Sequence, residues 1–265
     1  MQEKGSAVKV LHITDCHLNE DRSKDLLGMN TYESLIAVLN EVKAEGIAPD
    51  CILVTGDISQ DGSIAAYQTM KDELAEFECP IRWFPGNHDH RQNMSQVIGE
   101  SAELDKVLKL GAWQLVLLDS LSPGNVYGEL AQSELDVLDA TLRSDKSHAL
   151  VCLHHHPVEI GARWLDRIGL RNPEAFLNMV DSNDHVEAVL WGHIHQEFDE
   201  QRRGKRMLAT PSTCIQFKPK SDNFGLDEVA PGYRWLTLYE DGSIETNVQR
   251  ANSFEYELDL KSNGY

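Results

Sequence analysis

The chain has 265 residues and a formal net charge of −19, so its length suits one α/β domain and its charge disfavours binding to phosphate backbones or anionic lipid. We therefore expect neither a nucleic-acid partner nor a membrane partner. Five widely spaced cysteines, the lack of any run of 18 apolar residues and the lack of an apolar signal core over residues 1–9 together predict a cytoplasmic protein.

The predicted elements alternate between strand and helix over the first 200 residues. Strands are predicted at residues 8–14, 51–54, 81–84, 149–153 and 186–190, with a hairpin at 107–118. Helices are predicted at residues 31–45, 63–77, 129–142 and 173–180. After residue 200 the pattern is β-rich, with strands at 206–209, 215–217, 233–239 and 243–248. We expect a single domain over 1–265, with a core over 1–200 and a β-rich segment of the same domain over 201–265.

Five of the predicted strands are followed by side chains that can bind metal ions. In chain order these clusters are Asp15 with His17, then Asp57, then Asn87-His88-Asp89, then His154-His155-His156, then His193 with His195. Because ligands of open α/β sheets bind at the carboxyl ends of the strands, we expect the five clusters along one edge. Their oxygen and imidazole ligands suit manganese, iron and zinc.

This set of side chains favours a pair of metal ions. Two ions about 3.5–4 Å apart suit in-line phosphoryl displacement, and such a pair needs a bridging carboxylate. Asp57 is the candidate for the bridge because it stands alone in its loop. Three glycines are expected to let the backbone turn sharply, so that the next side chain points into the site: Gly56, Gly86 and Gly192.

In order and spacing, the five clusters resemble the signature of the calcineurin-like metallophosphoesterases. Outside them, residues 27–34, 164–172 and 209–219 resemble the bacterial class III 3′,5′-cyclic-AMP phosphodiesterases of that superfamily. The resemblance implies a four-layer α/β/β/α sandwich, the metallophosphoesterase fold, with a β-rich C-terminal segment. It also implies hydrolysis of 3′,5′-cyclic AMP to 5′-AMP by a hydroxide that two divalent metal ions activate.

The resemblance assigns roles to individual residues. The implied metal ligands are Asp15, His17, Asp57, Asn87, His155, His193 and His195. His88 is implied to act at the phosphate, with Asp89 orienting it, and the residues implied to face the substrate are His17, Asn87, His88 and His195. The family's histidine stands two residues before a proline, which favours His155 over His154 but leaves the register open. Iron or manganese is expected in the site, with zinc, cobalt or magnesium as alternatives.

Several alternatives stay open at this level. Arg171 and Asn172 lie on a loop that could contact the substrate or could only brace itself by hydrogen bonds. The protein could be a general phosphodiesterase that acts on glycerophosphodiesters or 2′,3′-cyclic nucleotides, or a non-catalytic metal-binding scaffold. A monomer and a homodimer are both compatible with the sequence. His12, inside the first predicted strand, is expected to be a packing residue.

Overall fold

The structure is a computed structural model that describes residues 6–264. The first five positions of the N-terminal stretch, for which no signal core is expected, lie outside the described residues. The strands are β1 Ala7–Ile13, β2 Asp25–Leu26, β3 Met29–Asn30, β4 Cys51–Thr55, β5 Ile81–Phe84, β6 Val107–Leu110, β7 Trp113–Leu117, β8 His148–Cys152, β9 Val186–Trp191, β10 Phe198–Arg202, β11 Lys205–Ala209, β12 Gln216–Phe217, β13 Leu226–Asp227, β14 Gly232–Tyr239 and β15 Ile244–Arg250. The α-helices are α1 Thr31–Ala44, α2 Ile64–Leu74, α3 Arg91–Ile98, α4 Gln132–Ser144, α5 Arg163–Asp166 and α6 Pro173–Asp181, and a 3₁₀ helix covers Ala102–Leu104.

Two sheets form the centre of the molecule. One has five strands in the order β15-β14-β1-β4-β5, and the other has six in the order β10-β11-β9-β8-β7-β6. In the first sheet β1, β4 and β5 run parallel, and in the second β7, β8, β9 and β11 do. The carboxyl ends of parallel strands share one edge of a sheet. The loops that follow these strands therefore gather at that edge in each sheet.

Three buried apolar cores give the molecule its four layers. Inward-facing residues of both sheets, such as Leu53 of β4 and Leu150 of β8, form the core between the sheets. Their neighbours along the strands, such as Ile52 and Val151, point to the outer faces. Helices α1 to α3 pack on the five-stranded sheet, and α4 to α6 pack on the six-stranded sheet. This arrangement is the predicted α/β/β/α sandwich.

The C-terminal segment contributes strands to both sheets. β14 pairs with β1 and β15, and β11 pairs with β9 and β10. Of the four strands predicted after residue 200, three correspond to β11, β14 and β15, which complete the two sheets, and the one at 215–217 corresponds to β12, which pairs with β13 in a separate two-stranded sheet. No helix within residues 6–264 has both the length and the apolar character needed to cross a membrane.

Two elements of more than four residues, α3 and β10, were not predicted from the sequence. Helix α3 buries only Met94 and Ile98, so its apolar stripe is too short to produce a clear helical period. Strand β10 has the sequence Phe-Asp-Glu-Gln-Arg and is at the edge of its sheet, where its side chains are mostly exposed. Because this edge strand is mostly polar, its sequence lacks the alternation of apolar and polar residues that predicts a strand.

Candidate metal centre

The five polar clusters lie together at the carboxyl ends of strands from both sheets. They follow β1, β4 and β5 in one sheet and β8 and β9 in the other. Backbone hydrogen bonds join the first two loops, from Asp15 N–H to the Gly56 carbonyl at 3.0 Å and from His17 N–H to the Asp57 carbonyl at 2.9 Å. The edge predicted from the sequence is thus built by two sheets packed face to face.

Five of the candidate ligands have a left-handed backbone conformation. Their φ angles lie between 47° and 67°, at Asp15, His17, Asp57, His193 and His195. Aspartate and histidine visit this region more often than most residues, yet each such conformation costs roughly 1–3 kcal/mol. It persists only where the surrounding structure fixes it, and such residues are concentrated at functional sites. The fold therefore gives up stability to point these side chains into one site.

The glycines beside the candidate ligands act in two ways. Gly56 has a φ of 91° and makes the expected left-handed turn. Gly86 and Gly192 have no positive φ and leave space instead. A Cβ on Gly86 would lie 2.2 Å from Asp57 Oδ1, and a Cβ on Gly192 would lie 2.6 Å from Asp15 Oδ2. Each carboxylate therefore occupies the space beside the glycine that the Cβ of any other residue would need.

Asp15, His17 and His195 form the first group of ligand atoms, all within 4.8 Å of one another. The two Nε2 atoms of the histidines are 3.1 Å apart. The Nδ1 of His195 donates to the Ile215 carbonyl at 2.8 Å, and the Nδ1 of His17 lies 2.6 Å from Gln60 Oε1. With a proton on each Nδ1, both Nε2 atoms present lone pairs to each other. The two lone pairs repel each other, and a cation bound by both Nε2 atoms would remove this repulsion.

His154, His155 and His193 form a second group, also with ligand atoms within 4.8 Å of one another. The Nε2 atom of His155 is buried and has no hydrogen-bond partner among the described residues. The Oδ1 of Asn87 is also buried and also has no hydrogen-bond partner among the described residues. His155 is fixed from behind, because its Nδ1 lies 2.8 Å from Ser120 Oγ. Buried polar atoms usually have partners, so these orphaned atoms indicate a missing ligand.

Asp57 connects the two groups. It shares one cluster of ligand atoms with Asp15 and His154, and another with His17 and His88. Burial alone would raise the pKa of Asp57, but the charges of His154 and His88 hold it well below its usual value. The carboxylate is therefore ionised, as a metal ligand has to be. Its place in both clusters suits a bridging role.

The protonation states of the histidines fit metal binding. Burial lowers the pKa of His17 to about 3 and holds the pKa values of His155 and His193 well below their usual range. These imidazoles are therefore neutral, which is the form that binds metal ions. Ionised carboxylates, neutral imidazoles and orphaned donor atoms together fit a pair of divalent ions.

The structure brings both His154 and His155 into the site. His154 Nδ1 donates to the Thr55 carbonyl at 2.7 Å, and its Nε2 lies 3.2 Å from Asp57 Oδ2. Burial opposes the charged form of His154, but Asp57 and Asp15 outweigh it and raise the pKa of His154 to about 9. In the absence of metal, His154 is thus a buried cation beside the carboxylates. The preference for His155 as the ligand stays a prediction.

The Asp89 carboxylate joins the loop of Asp57 to the loop of Asn87. It accepts hydrogen bonds at 2.8 to 3.2 Å from the backbone N–H groups of Gly86, Ile58 and Ser59 and from the Tyr67 hydroxyl. Burial, followed by the charge of Asp57, raises the pKa of Asp89 to about 7. The structure therefore gives Asp89 a loop-joining role, while its orientation of His88 stays a prediction.

The two candidates on the loop before α6 lie in different environments. The guanidinium of Arg171 stacks over the ring of Tyr127 at 4.4 Å. The amide of Asn172 is held at both ends by the backbone of Leu130, accepting at 3.0 Å and donating at 2.8 Å. Asn172 thus braces the loop, which is the alternative that the sequence left open. Contact of either residue with a substrate stays a prediction.

His12 is linked to the metal centre, which sequence reasoning missed. It is buried, as expected, with Nδ1 2.5 Å from Thr210 Oγ1 and Nε2 2.7 Å from Thr55 Oγ1. The Thr55 hydroxyl donates to Thr14 Oγ1 at 2.8 Å, and Thr14 Oγ1 donates to Asp15 Oδ2 at 2.8 Å. A hydrogen-bonded chain therefore runs from His12 to a candidate ligand. The one signal in the sequence is a histidine inside an apolar strand.

Comparison with known sequences agrees with this geometry. A family model described as calcineurin-like phosphoesterase matches residues 8–197. The chain is 44% identical over 261 residues to the 3′,5′-cyclic adenosine monophosphate phosphodiesterase CpdA of Pseudomonas aeruginosa, with 98% of this chain and 96% of that protein covered. It is 42% identical over 261 residues to the CpdA of Escherichia coli strain K12, with 97% and 95% covered.

A solved structure shows the same fold. The dimetal phosphatase from Danio rerio aligns with a TM-score of 0.62 at 18% sequence identity, over 92% of this chain and 99% of that chain. The likeness at this identity concerns the fold alone. The family model covers most of the chain, two relatives match nearly all of it, and the five predicted clusters meet in one site. The resemblance inferred from the sequence is thereby confirmed, and the chain belongs to the calcineurin-like phosphoesterase family.

Proposed function

We propose that the protein is a metal-dependent phosphodiesterase that hydrolyses 3′,5′-cyclic AMP to 5′-AMP. The observation that carries the chemistry is the pair of ligand groups joined by Asp57, with buried donor atoms that lack partners among residues 6–264. The substrate is supported by the relatives of known name, which are cyclic AMP phosphodiesterases at 42–44% identity over nearly the whole chain.

We assign the metal ligands to two sites that share Asp57. One site would take Asp15, His17 and His195, and the other would take Asn87, His155 and His193. When bound, two divalent ions supply Lewis acidity toward the phosphate and toward the attacking water. Iron or manganese is our proposal for their identity, because oxygen and imidazole ligands suit both.

His88 is the residue that we assign to proton transfer. Its backbone N–H donates to Asp57 Oδ1 at 2.9 Å, which fixes it beside the proposed bridge. Its imidazole lies edge to face with that of His17, with 4.9 Å between ring centroids. Hydrolysis adds water to phosphorus and breaks the P–O3′ bond, so O3′ has to gain a proton. His88 donates that proton and stabilises negative charge on the phosphate.

Asp89 and His12 support the reacting groups without contacting them. Asp89 fixes the two loops that carry Asp57 and His88, through backbone N–H groups of residues 58, 59 and 86. The hydrogen-bonded chain from His12 holds Asp15 through Thr14. Both devices fix the positions of the carboxylates before a substrate arrives, and such preorganisation lowers the cost of reaching the transition state.

We also propose a cytoplasmic location, because all five cysteines are free thiols in the structure. The oligomeric state, monomer or homodimer, stays a prediction. Size-exclusion chromatography with light scattering measures it directly, and a larger assembly would contradict it.

A substrate panel tests the proposed function. The metal-loaded protein is given 3′,5′-cyclic AMP, 2′,3′-cyclic AMP and glycerophosphoethanolamine at equal concentrations, and the products are identified by chromatography. We expect 3′,5′-cyclic AMP to have the highest kcat/KM, at or above ~10⁴ M⁻¹s⁻¹, and to give 5′-AMP alone. Faster turnover of another diester would make the protein a general phosphodiesterase. A metal-loaded protein that turns over no diester would be a metal-binding scaffold.

A further inference from the structure

A cavity of about 230 Å³ opens directly beside the candidate metal centre. Its lining includes three polar side chains, Asn87, His88 and His193, and also three aromatic side chains. We call these three, Trp164, Phe217 and Phe224, the aromatic wall. The cavity therefore connects the polar groups that would contact a phosphate to the apolar surface of the aromatic wall.

The rings of the aromatic wall are packed against one another at steep angles. Trp164 lies 5.0 Å from Phe217 at 78° and 5.2 Å from Phe224 at 70°, and the two phenylalanines are 5.6 Å apart at 64°. In edge-to-face packing the edge of one ring meets the face of the next, and the arrangement stays favourable at these separations. The wall is thus rigid and needs no rearrangement to present aromatic surface.

The aromatic wall is fixed to the metal centre by Phe217. The ring of Phe217 stacks on the imidazole of His195, with 4.2 Å between centroids and 16° between planes. Its backbone N–H also donates to the His195 carbonyl at 3.2 Å. The distance between wall and metal ligands is therefore set by direct contact. A ligand with a planar group at a fixed distance from a phosphate would match this spacing.

The charge of the cavity lining restricts that planar group. No aspartate, glutamate, lysine or arginine occurs among the described residues that line the cavity, although charged residues make up 25% of the chain. Val126, which is 54% exposed, adds apolar surface at the rim. The indole Nε1–H of Trp164 is buried and has no acceptor among residues 6–264. The lining therefore favours a neutral, flat ring that carries hydrogen-bond acceptors.

We propose that the aromatic wall is the nucleobase subsite and that it stacks the adenine of the substrate while the phosphate lies at the metal centre. The proposal rests on the proposed function. Adenine is a neutral planar ring with nitrogen acceptors, and every base offers a π face to an aromatic side chain. Trp164, Phe217 and Phe224 are thus specificity-determining residues that distinguish a cyclic nucleotide from a diester without a base.

Phe224 is the residue to change. It is only partly buried and lies in the loop between β12 and β13, whereas Phe217 contacts a candidate ligand. Phe224→Leu removes the ring and keeps a branched apolar side chain, and Phe224→Tyr keeps the ring. Phe77→Leu is the matched control, because Phe77 is also partly buried but packs against the distant core of α1 to α3.

Two inhibitors separate the two halves of the site. Hydrolysis of bis(4-nitrophenyl) phosphate by the metal-loaded protein serves as the reporter reaction. The two inhibitors are adenosine, which has a base but no phosphate, and inorganic phosphate, which has no base. We expect Phe224→Leu to raise the inhibition constant of adenosine about tenfold, in keeping with the loss of one stacking contact. The inhibition constant of phosphate should not change. Phe224→Tyr should retain inhibition by adenosine because it keeps the ring, and Phe77→Leu should leave both inhibition constants unchanged.

The outcomes distinguish this proposal from the one on which it rests. Failure of adenosine to inhibit the original protein, or an unchanged adenosine constant in Phe224→Leu, would overturn the base subsite. A parallel rise in the phosphate constant would also overturn it, because the substitution would then have disturbed the metal centre. Failure to hydrolyse 3′,5′-cyclic AMP would instead refute the proposed function, and it is measured separately on the original protein.

Discussion

At the scale of single residues, the charge of the site is set by two buried carboxylates, Asp15 and Asp57. An ionised carboxylate without a compensating charge is costly to bury. His154 supplies one such charge, because the neighbouring carboxylates outweigh its burial and raise its pKa to about 9. Two divalent ions would add four further positive charges at the same place. The pocket is therefore suited to gain cations and, with them, to attract an anionic phosphodiester.

Replacement of His88 tests its role in proton transfer. We expect His88→Ala to lower kcat by roughly 10²–10⁴ while both metal ions stay bound, because one acid–base group contributes about that much. Steady-state kinetics and elemental analysis on the same preparation measure the two effects. An unchanged kcat would remove His88 from the reaction, and a defect that excess metal repairs would make it structural.

His90 offers a control two positions away. Its exposed side chain accepts from Asn93 N–H at 3.3 Å and caps helix α3. His90→Ala removes an imidazole from the same loop, and it should lower stability by about 1 kcal/mol through loss of the cap while leaving kcat unchanged. A matching loss of kcat in both variants would indicate that the loop, and not the His88 imidazole, is responsible.

Sequence reasoning at this scale predicted the residues that follow strands and missed the contacts between distant segments. Asp57 and Asn87 were predictable because each belongs to a series of five polar clusters, all of which follow predicted strands. The link from His12 to Asp15 was not predictable, because it passes through Thr55, which is 43 residues from His12. The donors to Asp89 were hidden for the same reason, since three of the four lie 22 to 31 residues before it.

At the scale of elements, the close approach of loops and strands depends on small residues. Gly192 follows β9 and leaves room for the loop after β1, because a Cβ there would lie 2.1 Å from Thr14 Oγ1. We expect Gly192→Ala to destabilise the metal-free protein by about 1–3 kcal/mol, the usual effect of forcing an extra group into a packed site. Urea denaturation of the metal-free protein measures the free energy of unfolding.

Gly225 provides the matched substitution. A Cβ on Gly225 would meet Lys218 Cβ at 3.8 Å, which is ordinary contact, and Gly225 has no positive φ. Gly225→Ala should change the free energy of unfolding by no more than about 0.5 kcal/mol. Equal stability of the two alanine variants would show that the space beside Gly192 is not limiting and that the loops adjust freely.

The elements themselves were largely predictable where apolar patterns are long. Strand β5 matches its predicted residues, and the hairpin predicted at 107–118 is formed by β6 and β7, which are joined by Gly111 and Ala112. Helix α3 and edge strand β10 were missed, because their burial comes from tertiary packing and not from a strong local period. The pairing of β14 with β1 brings together residues more than 200 positions apart, and no local pattern specifies it.

At the scale of the whole molecule, we propose that residues 1–265 form a single domain. β14 lies between β15 and β1, and β11 lies between β10 and β9, so both sheets need the segment after residue 200. Removal of that segment would leave β1 and β9 each without one of its two neighbours. We expect one cooperative transition when the chain is unfolded by heat in a calorimeter. Two separated transitions would contradict a single domain.

The net charge of −19 works against an anionic substrate over the molecule as a whole. The substrate therefore has to be attracted locally, at the metal centre, where bound cations reverse the sign of the field. This makes the metal ions central to binding as well as to reaction. Asp57 is the residue whose loss should remove both sites, and Asp57→Ala is the control for the decisive measurement.

That measurement is a titration of metal-depleted protein with Mn²⁺, in which bound ions per chain and hydrolysis of 3′,5′-cyclic AMP are followed together. We expect no hydrolysis without metal, full activity at two bound ions per chain, and fewer than two ions with no activity in Asp57→Ala. Undiminished hydrolysis of 3′,5′-cyclic AMP by the metal-depleted protein, or two ions bound by an active Asp57→Ala variant, would contradict the proposed metal centre.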